Sequence, residues 1–177
     1  MYDMIDGVLR YSSINEGEQE IESVSIDELI ASIESDLEMV IQQKQAVIEK
    51  TNLPLVQGAR ILLHQLFYNL INNALKFSKE KPHVTITARE FMQGDVTMVE
   101  IRVADNGIGF SPEHAEKIFH AFSRLNSKDK YEGTGLGLAL CRKIAERHRG
   151  SISATGRENE GSIFIITLPL KQTTHTL

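Results

Sequence analysis

The chain has 177 residues, 41% apolar and 24% charged, an ordinary globular composition that suits one core with a short appendage. A formal net charge of −5 excludes a general nucleic-acid surface, which needs clustered excess Lys and Arg. A single cysteine, Cys141, excludes an internal disulfide, and the lack of a bilayer-length apolar run or signal-peptide pattern points to a cytoplasmic piece without membrane contact, whether or not its parent is membrane-bound.

Met1, Met4, Ile5, Val8 and Leu9 recur at helical spacing and predict a helix over residues 1 to about 15. A charged, poorly patterned stretch follows to Ser23 and marks a boundary. Ser25 opens a second helix, with Asp27 and Glu28 in its first turn and Leu29, Ile33, Leu37 and Val40 on its apolar face. Residues 46–51 and 53–56 read as short strands, with Gly58 as a turn. A long helix spans residues 59–77. Residues 83–91 and 96–104 alternate well and pair as a hairpin across Gln93-Gly-Asp95. The stretch 107–131 is mixed and partly mobile. A helix over 133–149 ends in Arg147-His-Arg149, with Gly150 as its cap, and residues 151–155 and 162–168 close the domain as a last hairpin. Cys141 falls on an apolar helical segment and is expected to be a buried small hydrophobe. Strands and helices segregate, so the expected fold is an α/β (α+β) two-layer sandwich: a mixed, mostly antiparallel sheet with helices on one face.

Three segments carry the chemistry. At about 100° per residue, Gln65, Asn69, Asn72, Asn73 and Lys76 share one arc of the long helix, opposite Leu63, Phe67, Leu70, Ile71 and Ala74. Asparagine is a poor helix-interior residue, so the cluster needs a reason. A solvated polar face is one. The other is that an Asn carbonyl ligates Mg²⁺ while nucleotide phosphates supply the charge and Lys76 neutralises phosphate oxygens. Asp105 follows directly on a strand, where a carboxylate can accept from an adenine amino group and would repel the guanine carbonyl; Asp105-Asn-Gly107 is also strong turn chemistry by itself. Gly133-Thr-Gly-Leu-Gly-Leu138 is read as opening the next helix and can present backbone amides to phosphate. It has neither the dinucleotide fingerprint spacing nor a Walker A motif.

Together these segments resemble the catalytic, ATP-binding domain of sensor histidine kinases, in the superfamily shared with gyrase-type topoisomerases, heat-shock chaperone ATPases and mismatch-repair ATPases. The resemblance covers about residues 20–170 and implies the Bergerat ATP-binding fold with ATP and Mg²⁺. It implies Asn73 as the main Mg²⁺ ligand with Asn69 beside it, Lys76 on the phosphates, and Phe77 against ribose and adenine. Asp105 would contact the adenine amino group while Gly107 and Gly109 admit the base. Gly133, Thr134, Gly135, Leu136, Gly137 and Leu138 would form the second glycine box. Ser162 would bind adenine through water. Phe119 and Phe122 would anchor a lid carrying Arg124, Lys128 and Lys130, with Arg124 reaching the γ-phosphate. Asn69, Asn73, Lys76 and Arg124 are thus the expected catalytic group. Hydrolytic relatives carry glutamate where this chain has Asn69; an amide cannot act as general base, so slow hydrolysis and transfer to an external nucleophile are expected.

That nucleophile would be a histidine on a dimerisation helix. None of His64, His83, His114, His120, His148 and His175 has the acidic helical context of such an acceptor, so each is expected to be surface or structural. Residues 1–22 resemble the end of the dimerisation domain and a linker, 23–171 the kinase domain, and 172–177 a tail. The implied partners are the dimerisation and phosphoacceptor helices and a response-regulator receiver domain, with the fragment monomeric and the full-length protein a homodimer. Two alternatives share the fold: an ATPase acting as a conformational machine, and an anti-sigma-type serine kinase.

Overall fold

The computed structural model describes residues 18–123 and 133–172; the N-terminal helical stripe, the lid cations Arg124, Lys128 and Lys130, and His175 lie outside the described residues. In chain order, β1 (Glu22–Ser25) leads into α1 (Ile26–Asp36) and α2 (Glu38–Lys44), then β2 (Val47–Thr51) and β3 (Leu55–Gly58). Helix α3 (Arg60–Lys76) precedes the hairpin β4 (His83–Gln93) and β5 (Val96–Asp105). Two 3₁₀ turns, Pro112–His114 and Lys117–Phe119, come before α4 (Gly137–Arg147) and the hairpin β6 (Ser151–Arg157) and β7 (Gly161–Pro169).

Five strands form one sheet in the order β2-β4-β5-β7-β6, parallel at β2–β4 and antiparallel elsewhere. Val84, Ile86, Val99, Ile101, Val103, Phe164, Ile166 and Leu168 alternate to one face and are buried, while Arg89, Arg102, Ser153 and Ile163 face out. Helix α3 packs over β4 and β5, and α4 over β6 and β7, leaving the other face uncovered by any described helix. This is the two-layer, antiparallel-rich sandwich expected from the sequence. Leu63, Leu66, Phe67, Leu70 and Ile71 of α3 are fully buried. At roughly 1.5–3 kcal/mol per side chain, that stripe outweighs the low helix propensity of the three asparagines.

Several local expectations change. The poorly patterned stretch before Ser25 ends in β1, which pairs antiparallel with β3; Val24 is its one buried residue, opposite Val56, too little for an alternation to show. Ser25 caps α1 by accepting from the Glu28 amide, as expected, but the helix breaks at Leu37, whose buried side chain separates α1 from α2. Gly58 ends strand β3 and makes no turn; a Cβ there would lie 2.7 Å from Leu63 Cδ1 and 3.0 Å from the His148 ring. The Gly133–Leu136 segment precedes the helix, which starts only at Gly137, because Gly135 takes φ +74° outside the helical region. At the far end of α4 the left-handed residue is Arg149, at φ 59°, not Gly150. Gly150 is required for a different reason: its Cβ would stand 2.1 Å from the Thr167 carbonyl oxygen.

Among the described histidines, His148 alone is fully buried, and it is structural. Its Nε2 accepts from the Ala59 amide at 3.0 Å and its Nδ1–H donates to the Ile144 carbonyl at 2.8 Å. The ring thereby supplies the N-terminal cap that α3 lacks from its own side chains, since Ala59 offers none. His64 and His83 lie beside the carboxylates of Asp36 and Glu49, each at 3.2 Å. Cys141 is buried as expected, and burial pushes its thiol up to about 12.

Candidate functional site

The site forms where α3 ends. Lys44 holds one of its last carbonyls: the ammonium donates to the Leu75 carbonyl at 2.6 Å, a cation at the negative end of the helix dipole. Phe77 caps the helix, and its carbonyl accepts from the Ile108 amide at 2.8 Å, tying the loop after β5 to the helix end. Asn106 stiffens the same loop: its Oδ1 accepts from the His83 amide at 2.8 Å and its amide donates to the Lys81 carbonyl at 3.1 Å. Asp105 is therefore presented from the end of β5 on a braced backbone.

The Asp105 carboxylate accepts from the Gly107 amide at 2.8 Å and from the Ser162 amide. Burial pushes its carboxyl above the ordinary value, and the two backbone N–H groups partly offset that rise. Gly109 sits at φ +61°, and a Cβ there would lie 1.9 Å from the Arg157 carbonyl oxygen, so only glycine lets the loop close against the β6–β7 turn. Opposite, Gly135 receives the Phe122 amide on its carbonyl at 3.0 Å, and a Cβ on Gly133 would come within 2.8 Å of Lys76 Nζ. The Lys76 ammonium lies 4.8 Å from the centre of the Phe77 ring.

Between these walls is a cavity of about 270 Å³. Asn73, Lys76, Phe77, Asp105, Gly109, Gly133, Thr134, Gly135, Gly137, Leu138 and Ser162 all line it, so segments far apart in sequence converge there. Asn69, Gly107 and Leu136 do not line it. Leu136 is buried, Gly107 is spent on the Asp105 turn, and the Asn69 amide donates to the Gly137 carbonyl at 3.4 Å. Arg124 lies outside the described residues.

Sequence reasoning left unassigned Asn72, Ser123 and the apolar wall of Ile108, Phe110, Ile118 and Phe164. Asn72 shares the polar arc and could have been found there; the apolar residues carry no signal beyond ordinary core alternation. Phe119 is the buried anchor of its segment, edge-on to Phe164 at 6.4 Å and covered by Arg142, whose guanidinium is 4.5 Å from the ring and bonds Glu116 at 2.8 Å. Phe122, expected to anchor alongside it, is 57% exposed, and its backbone makes the attachment.

Among the described residues no three His, Cys, Asp or Glu side chains gather as a metal site. At the α3 end of the cavity the side-chain groups are the neutral amides of Asn72 and Asn73 beside Lys76, which fits a divalent cation whose charge is met by phosphate oxygens. The cavity thus has a braced carboxylate at one end, an apolar wall, and a glycine-edged amide and lysine cluster at the other.

Residues 58–172 match the family described as histidine kinase-, DNA gyrase B-, and HSP90-like ATPases, and the chain belongs to that family. The phytochrome-like protein Cph1 of Synechocystis sp. is 35% identical over 171 residues, covering 96% of this chain and 22% of that protein. The chain thus spans less than a quarter of that relative. Among solved structures, the catalytic domain of histidine kinase ThkA superposes with a TM-score of 0.72 at 30% identity, covering 86% of this chain and 97% of that domain. Full-length ShkA in complex with AMPPNP superposes with a TM-score of 0.77 at 26% identity, covering 94% of this chain and 35% of that one.

Proposed function

We propose that this chain is the ATP-binding catalytic domain of a sensor histidine kinase. It transfers the γ-phosphate of ATP to a histidine on a dimerisation helix, for relay to a response-regulator aspartate. The observation that carries the reading is the convergence of Asp105, Asn73, Lys76, Gly133, Thr134, Gly135, Gly137 and Leu138 on one cavity, in a chain whose solved neighbours include histidine kinase catalytic domains.

Asp105 accepts from the adenine amino group, and Ile108, Phe110 and Phe164 offer the apolar surface on which the base lies. A guanine carbonyl would face the carboxylate instead, and a hydrogen bond to a charged group is worth about 1.5–3 kcal/mol of discrimination. Asn73 holds Mg²⁺ through its amide oxygen, and Lys76 and the glycine-run amides neutralise and orient the phosphates. Bound Mg²⁺ supplies charge neutralisation on the phosphate oxygens. Arg124 is assigned to the γ-phosphate by family resemblance. Catalysis here is positioning and electrostatics. No described carboxylate other than Asp105 lines the cavity to activate water, which fits transfer to an external nucleophile over hydrolysis.

The test is incubation with Mg·ATP and a histidine-bearing dimerisation domain supplied in trans. The expected product is an acid-labile, alkali-stable phosphoprotein. An acid-stable phosphoprotein would favour the serine kinase, and fast phosphate release without transfer would favour the conformational machine.

A further inference from the structure

Asn69 is one helical turn before Asn73 on α3, yet it does not line the cavity that Asn72 and Asn73 line. Its Nδ2 donates to the Gly137 carbonyl at 3.4 Å. A Cβ built on Gly137 would be 3.8 Å from the Asn69 carboxamide carbon, an ordinary contact distance, so the amide sits beside the first turn of α4. The Cys141 sulfur behind it reaches back to the Leu66 carbonyl at 3.6 Å, one turn earlier on α3. Asn69 is therefore placed between α3, which carries Asn73 and Lys76, and the start of α4, into which the glycine run leads.

We propose that Asn69 is a positioning residue that ties the first turn of α4 to α3 and so fixes the gap between the glycine run and Asn73, and that it is not a metal ligand. Two features of one side chain carry this. The donor is spent on a main-chain carbonyl that has a second lone pair to offer beyond its helical bond. The side chain is absent from the cavity lining. Helix α4 has no side-chain cap at its start, so this cross-helix bond is a restraint from another element on a turn that carries none of its own. The functional consequence rests on reading the cavity as a nucleotide site; the tie itself does not.

Asn69→Asp separates the two roles by sign. The carboxylate is isosteric, so the fold is retained, but it cannot donate to the Gly137 carbonyl. A positioning residue so changed should speed exchange of the Leu140 and Cys141 amides in the nucleotide-free protein by about fivefold. It should also weaken Mg·ADP binding roughly tenfold with the half-saturating Mg²⁺ concentration unchanged. Asn69→Ala should reproduce both effects, and Asn73→Ala should raise the Mg²⁺ requirement instead. The proposal is overturned if Asn69→Asp leaves those amides as protected as in the wild type, or if it lowers the Mg²⁺ requirement, as an added charged ligand would. A wild type that binds no nucleotide defeats the reading of the cavity, and exchange in the empty proteins then decides the tie on its own.

Discussion

Lowering the pH below about 6.5 should destabilise this domain through one side chain, His148. Its ring is fully buried in the neutral form, with Nδ1–H donating to the Ile144 carbonyl and Nε2 accepting from the Ala59 amide at 3.0 Å. Protonation puts a second N–H on Nε2, aimed at a donor. Burial lowers the His148 pKa, the Arg147 charge lowers it further, and the bond to Ile144 works the other way. The unfolded chain titrates near 6.5 and the folded chain below it, so between the two values the unfolded state binds the additional proton. The contribution is complete above about 6.5, is lost as pH falls at up to about 1.4 kcal/mol per pH unit, and levels off below the native pKa. Urea denaturation from pH 7.5 to 5.0 measures this directly. In His148→Gln, which keeps an acceptor but has no titrating ring, the extra slope should vanish. His148→Ala, which leaves the Ala59 amide unpaired and opens a cavity, should cost roughly 3–5 kcal/mol at neutral pH. Parallel pH profiles for wild type and His148→Gln, or a wild type that gains stability on acidification through this window relative to the variant, would refute the reasoning.

Other outcomes follow from single residues. Arg149→Gly removes a side chain from a left-handed φ of 59° and should stabilise the domain by about 1 kcal/mol, read as a raised melting temperature. Cys141, buried with its thiol pushed up to about 12, should resist alkylation at pH 8 in the folded protein and react fully in denaturant. Asp105 has a carboxyl raised by burial, and adenine needs its charged form. Nucleotide affinity should therefore fall off at a pH above the ordinary carboxylate value of about 3.9, and calorimetry across pH 4–7 reads the midpoint.

Elements with a strong period were legible in the sequence. The stripe Leu63, Phe67, Leu70, Ile71 sets α3 nearly to its observed ends, and the alternation around Val84 and Ile86 sets the β4–β5 hairpin. What the sequence hid depended on partners distant in the chain. β1 exists because Val24 meets Val56, and no local pattern announces a strand with one buried residue. Glycine spacing alone puts the start of α4 four residues early, since it cannot distinguish a helix opening from a positive-φ approach. Gly150 looked like a cap, but the approach of Thr167 is what requires it, while Arg149 takes the left-handed turn. In the site, residue types with unusual chemistry (Asn73, Lys76, Asp105, the glycine run) were identifiable because they break ordinary composition rules. The apolar wall of Ile108, Phe110, Ile118 and Phe164 obeys those rules and was invisible. Asn69 belonged to the polar arc by angle, but only the packing of α4 on α3 shows where its amide points.

The most direct test of the central claim is calorimetric titration of Mg·ADP into the wild-type chain and into Asp105→Asn. The account predicts micromolar-range binding to the wild type that weakens tenfold or more in the variant, which loses a charged acceptor facing the adenine amino group. Absence of binding to the wild type, or equal affinity in the two proteins, would contradict it.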